Sequence, residues 1–104
     1  MVNRENQIKA LSNANRLEIL RLLMDPAKHF RKQKSADPGN FGVCIQLIAE
    51  KINVAQPTVS RHIDILKRAG FVSIQRHQQW SYCSRDEHSL SNFHQWLQTE
   101  LGIE

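Results

Sequence analysis

Two apolar repeats separated by three residues, within residues 45–70, do most to limit what this chain can become. Ile45, Ile48, Ala49 and Ile52 recur at helical spacing, Asn53-Val54-Ala55 follows, and Val59, Ile63 and Leu66 then fall at i, i+4 and i+7. Each set makes one buried stripe, because positions three and four apart share a helix face. Pro57 suits the first turn of the second helix, where its missing N–H has no partner to lose, and Gly70 supplies the left-handed residue that ends it. With Asn53 as a left-handed residue between them, two helices joined by three or four residues have the layout of a helix-turn-helix.

The outer face of the second helix points to chemistry. At 100° per residue Pro57, Thr58, Arg61, Asp64 and Arg68 lie opposite the stripe, flanked by Ser60 and Lys67 and headed by Gln56. Such side chains bond to base edges and phosphates in a DNA major groove. The plainer reading is that any amphipathic helix carries its Arg and Lys outward. The next segments favour the first reading. Residues 71–76 and 79–84 alternate apolar and polar side chains around a tight turn expected at His77-Gln78, which makes a β-hairpin wing carrying Arg76, Gln78 and Gln79.

Several stretches, in order and spacing, resemble the ArsR-type winged-helix transcriptional regulators of bacteria. They are Leu11-Ser-Asn-Ala-Asn-Arg-Leu-Glu-Ile-Leu20, Ile48-Ala-Glu-Lys-Ile52, Gln56-Pro-Thr-Val-Ser-Arg-His62, Leu66-Lys-Arg-Ala-Gly-Phe-Val72 and Gln79-Trp-Ser-Tyr82. Only the insert at about 25–40 and the last turn fall outside the match. The resemblance implies a homodimer that binds a near-palindromic operator and represses it, in many relatives until a metal or other signal binds. Two departures stand out: Ala55 where a Ser or Thr usually caps the recognition helix, and Gln78 where a wing Gly is common.

The resemblance also frames the metal question. Arsenic- and cadmium-sensing members carry Cys-x-Cys where this chain has Cys44-Ile45-Gln46, so one ligand is missing. Zinc-sensing members pair Asp-x-His at the start of the last helix with His-x-x-Glu or His-x-x-His near its end. Asp86-Glu-His88 matches the first half, but His94 is followed by Leu97 and no later His exists. Two ligands do not hold zinc tightly, although a symmetric dimer could complete a set across its subunits. The expectation is therefore no metal and no cofactor.

With 104 residues the chain suffices for one domain, expected to span 1–104. Fourteen Lys and Arg against ten Asp and Glu give +4, a basic excess that a dimer doubles and that suits a nucleic-acid partner. There is no signal peptide and no apolar run of about 18 residues, so neither export nor membrane insertion is expected. Two distant cysteines make no secreted disulfide framework, so a cytoplasmic protein with reduced thiols is expected.

The flanking segments fill in the frame. Ile8 and Leu11 mark one face of a short first helix, too thin a stripe to stand alone. Asn13 suits the cap of a second helix whose core stripe is Leu17, Leu20 and Leu23 or Met24, widened by Ile19 and Leu22 and ended by Asp25-Pro26. Residues 27–40 lack periodicity and carry Lys28, Arg31, Lys32 and Lys34. They read as a loop tied down by Phe30, either a solvated insertion or an auxiliary phosphate-contacting arm. Residues 41–44 read as a short strand pairing with the wing, which puts Cys44 near a helix N-terminus, where negative charge on a thiol is favoured. If that pairing brings Cys44 to Cys83, the two are candidates for redox chemistry; two structural thiols are the simpler reading. Ser84 and Glu87 are spaced for a capping box on a last helix whose Leu90, Phe93, Leu97 and Leu101 line one face, extended by Trp96. With Ile8 and Leu11, the residues Leu90, Phe93, Trp96 and Leu97 are the expected dimer interface, though half of that stripe could cover the protomer's own core.

The resulting expectation is a mainly α fold with a small β-hairpin wing, a winged helix-turn-helix of about five helices. No Gly-rich phosphate loop, His-Glu-x-x-His or nucleophile motif is present, so an enzyme is not expected, and His62 is better explained by packing or DNA contact than as a base. The functional expectation is a dimeric repressor binding an inverted-repeat duplex through Gln56, Pro57, Thr58, Ser60, Arg61, His62, Lys67 and Arg68 with the wing residues. The competing reading is a winged helix that serves as a protein-interaction surface and does not read DNA.

Overall fold

The computed structural model describes residues 3–31, 33 and 36–104. Asn3 and Asn13 begin the first two helices in the same way. Each side-chain Oδ1 accepts a hydrogen bond from the backbone N–H three residues on, Asn6 at 3.0 Å and Arg16 at 3.1 Å, giving α1 (Arg4–Leu11) and α2 (Ala14–Leu22). The core stripe of α2 differs from the expected one. Ile19, Leu20, Leu22 and Leu23 are buried, whereas Leu17 is 38% and Met24 65% exposed. The helix stops at Leu22 ahead of Pro26, so Met24 leaves the helical stripe.

The insert is not a structureless loop. Two prolines in the first turns start single helical turns, α3 (Pro26–His29) and α4 (Pro38–Phe41), so the described residues form seven helical segments where about five were expected. Phe30 is buried, as the sequence suggests. Gln33 is the second anchor. Its Nε2 donates to the carbonyls of Ala36 at 2.9 Å and Gly42 at 3.0 Å, and its Oε1 accepts from the N–H of Cys44 at 2.8 Å. The expected basic residues Lys32 and Lys34 lie outside the described residues.

Of the strand expected at 41–44 only Val43–Cys44 forms, as β1, because Phe41 closes α4 and Gly42 caps it; β1 is the edge of a three-stranded antiparallel sheet ordered β1-β3-β2 with β2 (Val72–His77) and β3 (Trp80–Arg85). Val43 faces Cys83 and Cys44 faces Tyr82, while His77 pairs with Trp80. The hairpin turn is thus Gln78-Gln79, one residue later than the sequence suggested, with Gln78 at φ 57°. At Gly42, φ is 96° and a Cβ would stand 2.5 Å from Ser84 Oγ and 2.7 Å from the Cys83 carbonyl oxygen, so only glycine lets β1 approach β3.

The helix-turn-helix consists of α5 (Ile45–Ile52) and α6 (Gln56–Arg68). The fold closes with α7 (Glu87–Leu101), capped by Asp86 accepting from Ser89 N at 3.0 Å. Ser84 does not cap it, because it lies in β3 paired with Ser73. Ile19, Val43, Ile48, Val59, Leu66 and Phe71, all at 0% exposure, fill the core between α2, the helix-turn-helix and the inner face of the sheet. The wing and α6 therefore hang on one packed unit.

Candidate nucleic-acid interface

Asn53 adopts the left-handed conformation, φ 57° and ψ 49°, and the N–H of Val54 closes back on the Ala49 carbonyl at 3.1 Å, so α5 ends in a turn that launches α6. Val59, Ile63 and Leu66 are buried at 0, 2 and 0% exposure, which fixes the rotation of α6 about its axis. Gln56, Pro57, Ser60 and Arg61 are consequently exposed and Thr58 half-buried. Ala55 makes no side-chain capping bond, but its carbonyl accepts from the N–H groups of Thr58 and Val59, each at 3.0 Å, and Pro57 has no N–H to satisfy.

The structure brings part of the expected set together. Gln56 and Ser60 of α6 and Gln79 of the hairpin turn share one cleft of about 210 Å³ with Cys44, Trp80 and Ser81. Gln46, near the start of α5, lines the same cleft and is a residue that reading the helical face of α6 alone misses. Its signal was its polarity within a helix otherwise apolar through Ile45, Leu47 and Ile48. Arg76 and Gln78 are exposed on the wing beside it. Lys67 and Arg68 are not part of the cleft: by the helical rise they sit about 10 to 12 Å beyond Ser60 along α6. Arg68 is moreover ion-paired with Asp64 at 2.8 Å, with both groups exposed.

His62 turns inward. Arg16 Nη1 lies 3.1 Å from its Nδ1, and the same guanidinium donates to the carbonyls of Ala10 at 2.6 Å and Lys9 at 3.2 Å. Burial first, and then the cations Arg16 and Arg61, hold the imidazole below its ordinary pKa. This residue joins α6 to α1 and α2 rather than presenting a charge outward.

Residues 43–73 match the family described as "Bacterial regulatory protein, arsR family". Over 93 residues, 89% of this chain and 93% of the relative, the sequence is 38% identical to an uncharacterized HTH-type transcriptional regulator, YbzH, of Bacillus subtilis strain 168. The chain belongs to the ArsR family of transcriptional regulators. A second relative of this ArsR-family chain, the transcriptional repressor SdpR of Bacillus subtilis strain 168, is 32% identical over 88% of this chain and 86% of its own length. Among solved structures, the homodimeric winged helix-turn-helix DNA-binding domain of Mb0332 from Mycobacterium bovis superposes with a TM-score of 0.64. It is 24% identical and covers 92% of this chain and 76% of that one, a likeness of fold.

The remaining site residues of this ArsR-family chain divide by burial. Phe93 is buried within the protomer, edge-on to Phe71 at 5.4 Å and beside Trp96 at 5.8 Å, so it belongs to the core and not to an exposed stripe. Leu11, Leu90, Trp96 and Leu97 are half-buried against that core, and the Arg4 guanidinium lies 5.1 Å from the Trp96 ring centre. Ile8, at 49% exposure, remains open, as do Leu101 at the end of α7 and Ile103 beyond it, at 62 and 54%.

The two cysteines do not meet. Cys83 shares a face with Val43 in the core, and Cys44 shares the other with Tyr82, because neighbouring residues of a strand point to opposite sides. Both are free and buried, and burial pushes the Cys83 thiol up to about 12, away from a reactive thiolate. The expected approach of the pair thus fails on the register. Asp86 is engaged as the cap of α7, and among the described residues no three His, Cys, Asp or Glu side chains gather as a metal site would. No helix among them is long and apolar enough to cross a membrane.

Proposed function

We propose that this ArsR-family regulator is a homodimeric, sequence-specific DNA-binding repressor acting in the cytoplasm without a complete metal site of the family's two best-known types. The observation that carries the reading is the shared cleft: Gln46, Gln56, Ser60 and Gln79, from the two helices of the helix-turn-helix and from the wing, line one cleft of about 210 Å³. Thr58, Ser60 and Arg61 enter the major groove and contact base edges, and Arg76, Gln78 and Gln79 touch the backbone or minor groove. Lys67 and Arg68, distant from the cleft, contribute to the field that draws the duplex in.

Dimerisation uses apolar residues of the first and last helices, the exposed Ile8 and Leu101 and the half-buried Leu11, Leu90, Trp96 and Leu97, with the exposed Ile103 just beyond α7. The repressor SdpR among the relatives supports repression, and the homodimeric state of the Mb0332 domain supports dimerisation. Two-fold protein symmetry then requires a two-fold site, with half-sites about one helical turn apart. Selection of bound sequences from random duplex DNA by the full chain tests the proposal. An enriched inverted repeat is the expected product; no enrichment above input, with the protein folded, would favour a protein-interaction module instead.

A further inference from the structure

We infer that the insert and α5 together form a binding site for a small organic anion carrying an apolar body. The cations of the described residues fall into two classes. Arg4, Lys9, Arg16, Arg21, Arg68 and Arg85 each have a side-chain partner. Of those without one among the described residues, Arg61, Lys67 and Arg76 belong to α6 and the wing, as DNA binding requires. The other three, Lys28, Arg31 and Lys51, line a separate cavity of about 390 Å³ between the insert and α5, with Glu50 the one carboxylate on its lining among the described residues.

The walls of this cavity differ from its rim. Phe30, 5% exposed, and Leu47 make an apolar floor. Gln33 forms a wall whose amide is already spent on the Ala36 and Gly42 carbonyls and the Cys44 N–H, so it is held in place before a ligand arrives. An apolar floor with three cationic residues on the lining, in a volume of this size, fits a small molecule with one anionic head, a carboxylate or phosphate, and a hydrocarbon or aromatic body. Duplex DNA fits it poorly: its convex, polar backbone gains nothing from Phe30 and Leu47. The inference stands on these residues alone and does not depend on the DNA reading.

Amide chemical-shift titration of the full chain tests it, with phenyl phosphate as the probe, inorganic phosphate as the head without the body and benzyl alcohol as the body without the charge. Phenyl phosphate is expected to shift the Phe30, Leu47 and Lys51 amides saturably with a Kd in the millimolar range or tighter. Replacing all three cations by alanine should weaken it about tenfold, with the rest of the spectrum reporting an intact fold. Lys51→Gln alone, on the exposed face of α5, gives the same reading more weakly if the triple variant does not fold. Absence of saturable shifts, equal affinity for inorganic phosphate or for benzyl alcohol, or unchanged affinity in the folded variants would each overturn the site. So would shifts of these amides by a random DNA duplex with none from phenyl phosphate, which would assign the cations to the DNA backbone.

Discussion

Arg16 on α2 donates through Nη1 to Nδ1 of His62 on α6, 3.1 Å away. A guanidinium has only donors, so Nδ1 must accept, and the imidazole is neutral with its proton on Nε2. This one contact fastens the inner side of α6 to α1 as well, because the same arginine holds the Ala10 and Lys9 carbonyls at the end of α1.

Acid should therefore loosen this joint. The folded pKa of His62 is lowered from 6.5 by burial and by Arg16 and Arg61, so the folded state binds fewer protons than the unfolded one as pH falls. The stability held by the neutral ring is full above 6.5 and is lost as pH drops through that value toward the lowered folded pKa. Urea midpoints of the wild type should fall across this window more than those of His62→Gln, which accepts without titrating. Parallel curves would show that the ring does not report the contact.

Gly42→Ala should destabilise the protein by about 2 to 4 kcal/mol, since a Cβ there meets both Ser84 and the Cys83 carbonyl at a left-handed φ of 96°. Gly102→Ala, with φ 65° and no atom within 4 Å of the new Cβ, should cost only about 1 kcal/mol. Chemical denaturation of the pair separates close approach from backbone strain; equal losses would mean that β1 does not lie as close to β3 as described.

Gln33→Ala removes a buried amide from three backbone groups at once, and about 2 to 3 kcal/mol of stability should go with it. Hydrogen exchange is the sharper check: the Cys44 amide should lose protection while Val59 and Leu66 at the core keep theirs. Retained protection at Cys44 would place its partner elsewhere.

Ile8→Lys combined with Leu101→Lys puts charges into two exposed apolar positions, 49 and 62% open, that fold no core. In sedimentation the wild type should be a dimer at micromolar concentration and the variant a monomer with unchanged helical content. A dimer that survives both lysines would move the interface away from α1 and α7.

The helix-turn-helix was legible because its stripes repeat at 3.6 residues and its boundaries are marked by Asn53, Pro57 and Gly70, whose backbone preferences are local. The insert was not, because four-residue turns show no period and its organiser, Gln33, works through bonds to residues 36, 42 and 44 that no spacing rule encodes. The apolar stripe of α7 was visible, but a stripe does not say what covers it; Phe71 takes Phe93 into the protomer's own core. Likewise the strand at β1 was legible, whereas the faces of Cys44 and Cys83 depended on a register set by two residue pairs. His62 lies on the correct helix, yet only the fold reveals that Arg16 turns it inward.

The most direct test of the account is a fluorescence anisotropy titration of the selected inverted repeat with wild type, Arg61→Ala and Arg76→Ala across a salt series. Arg61 stands exposed on α6 without a side-chain partner among the described residues, so its removal should cost about 1 to 3 kcal/mol of specific affinity and relax discrimination at one base position. Arg76→Ala should weaken all sequences alike and lower the salt slope by about 1. Wild-type affinity and discrimination in a folded Arg61→Ala variant would contradict the placement of the reading surface on α6.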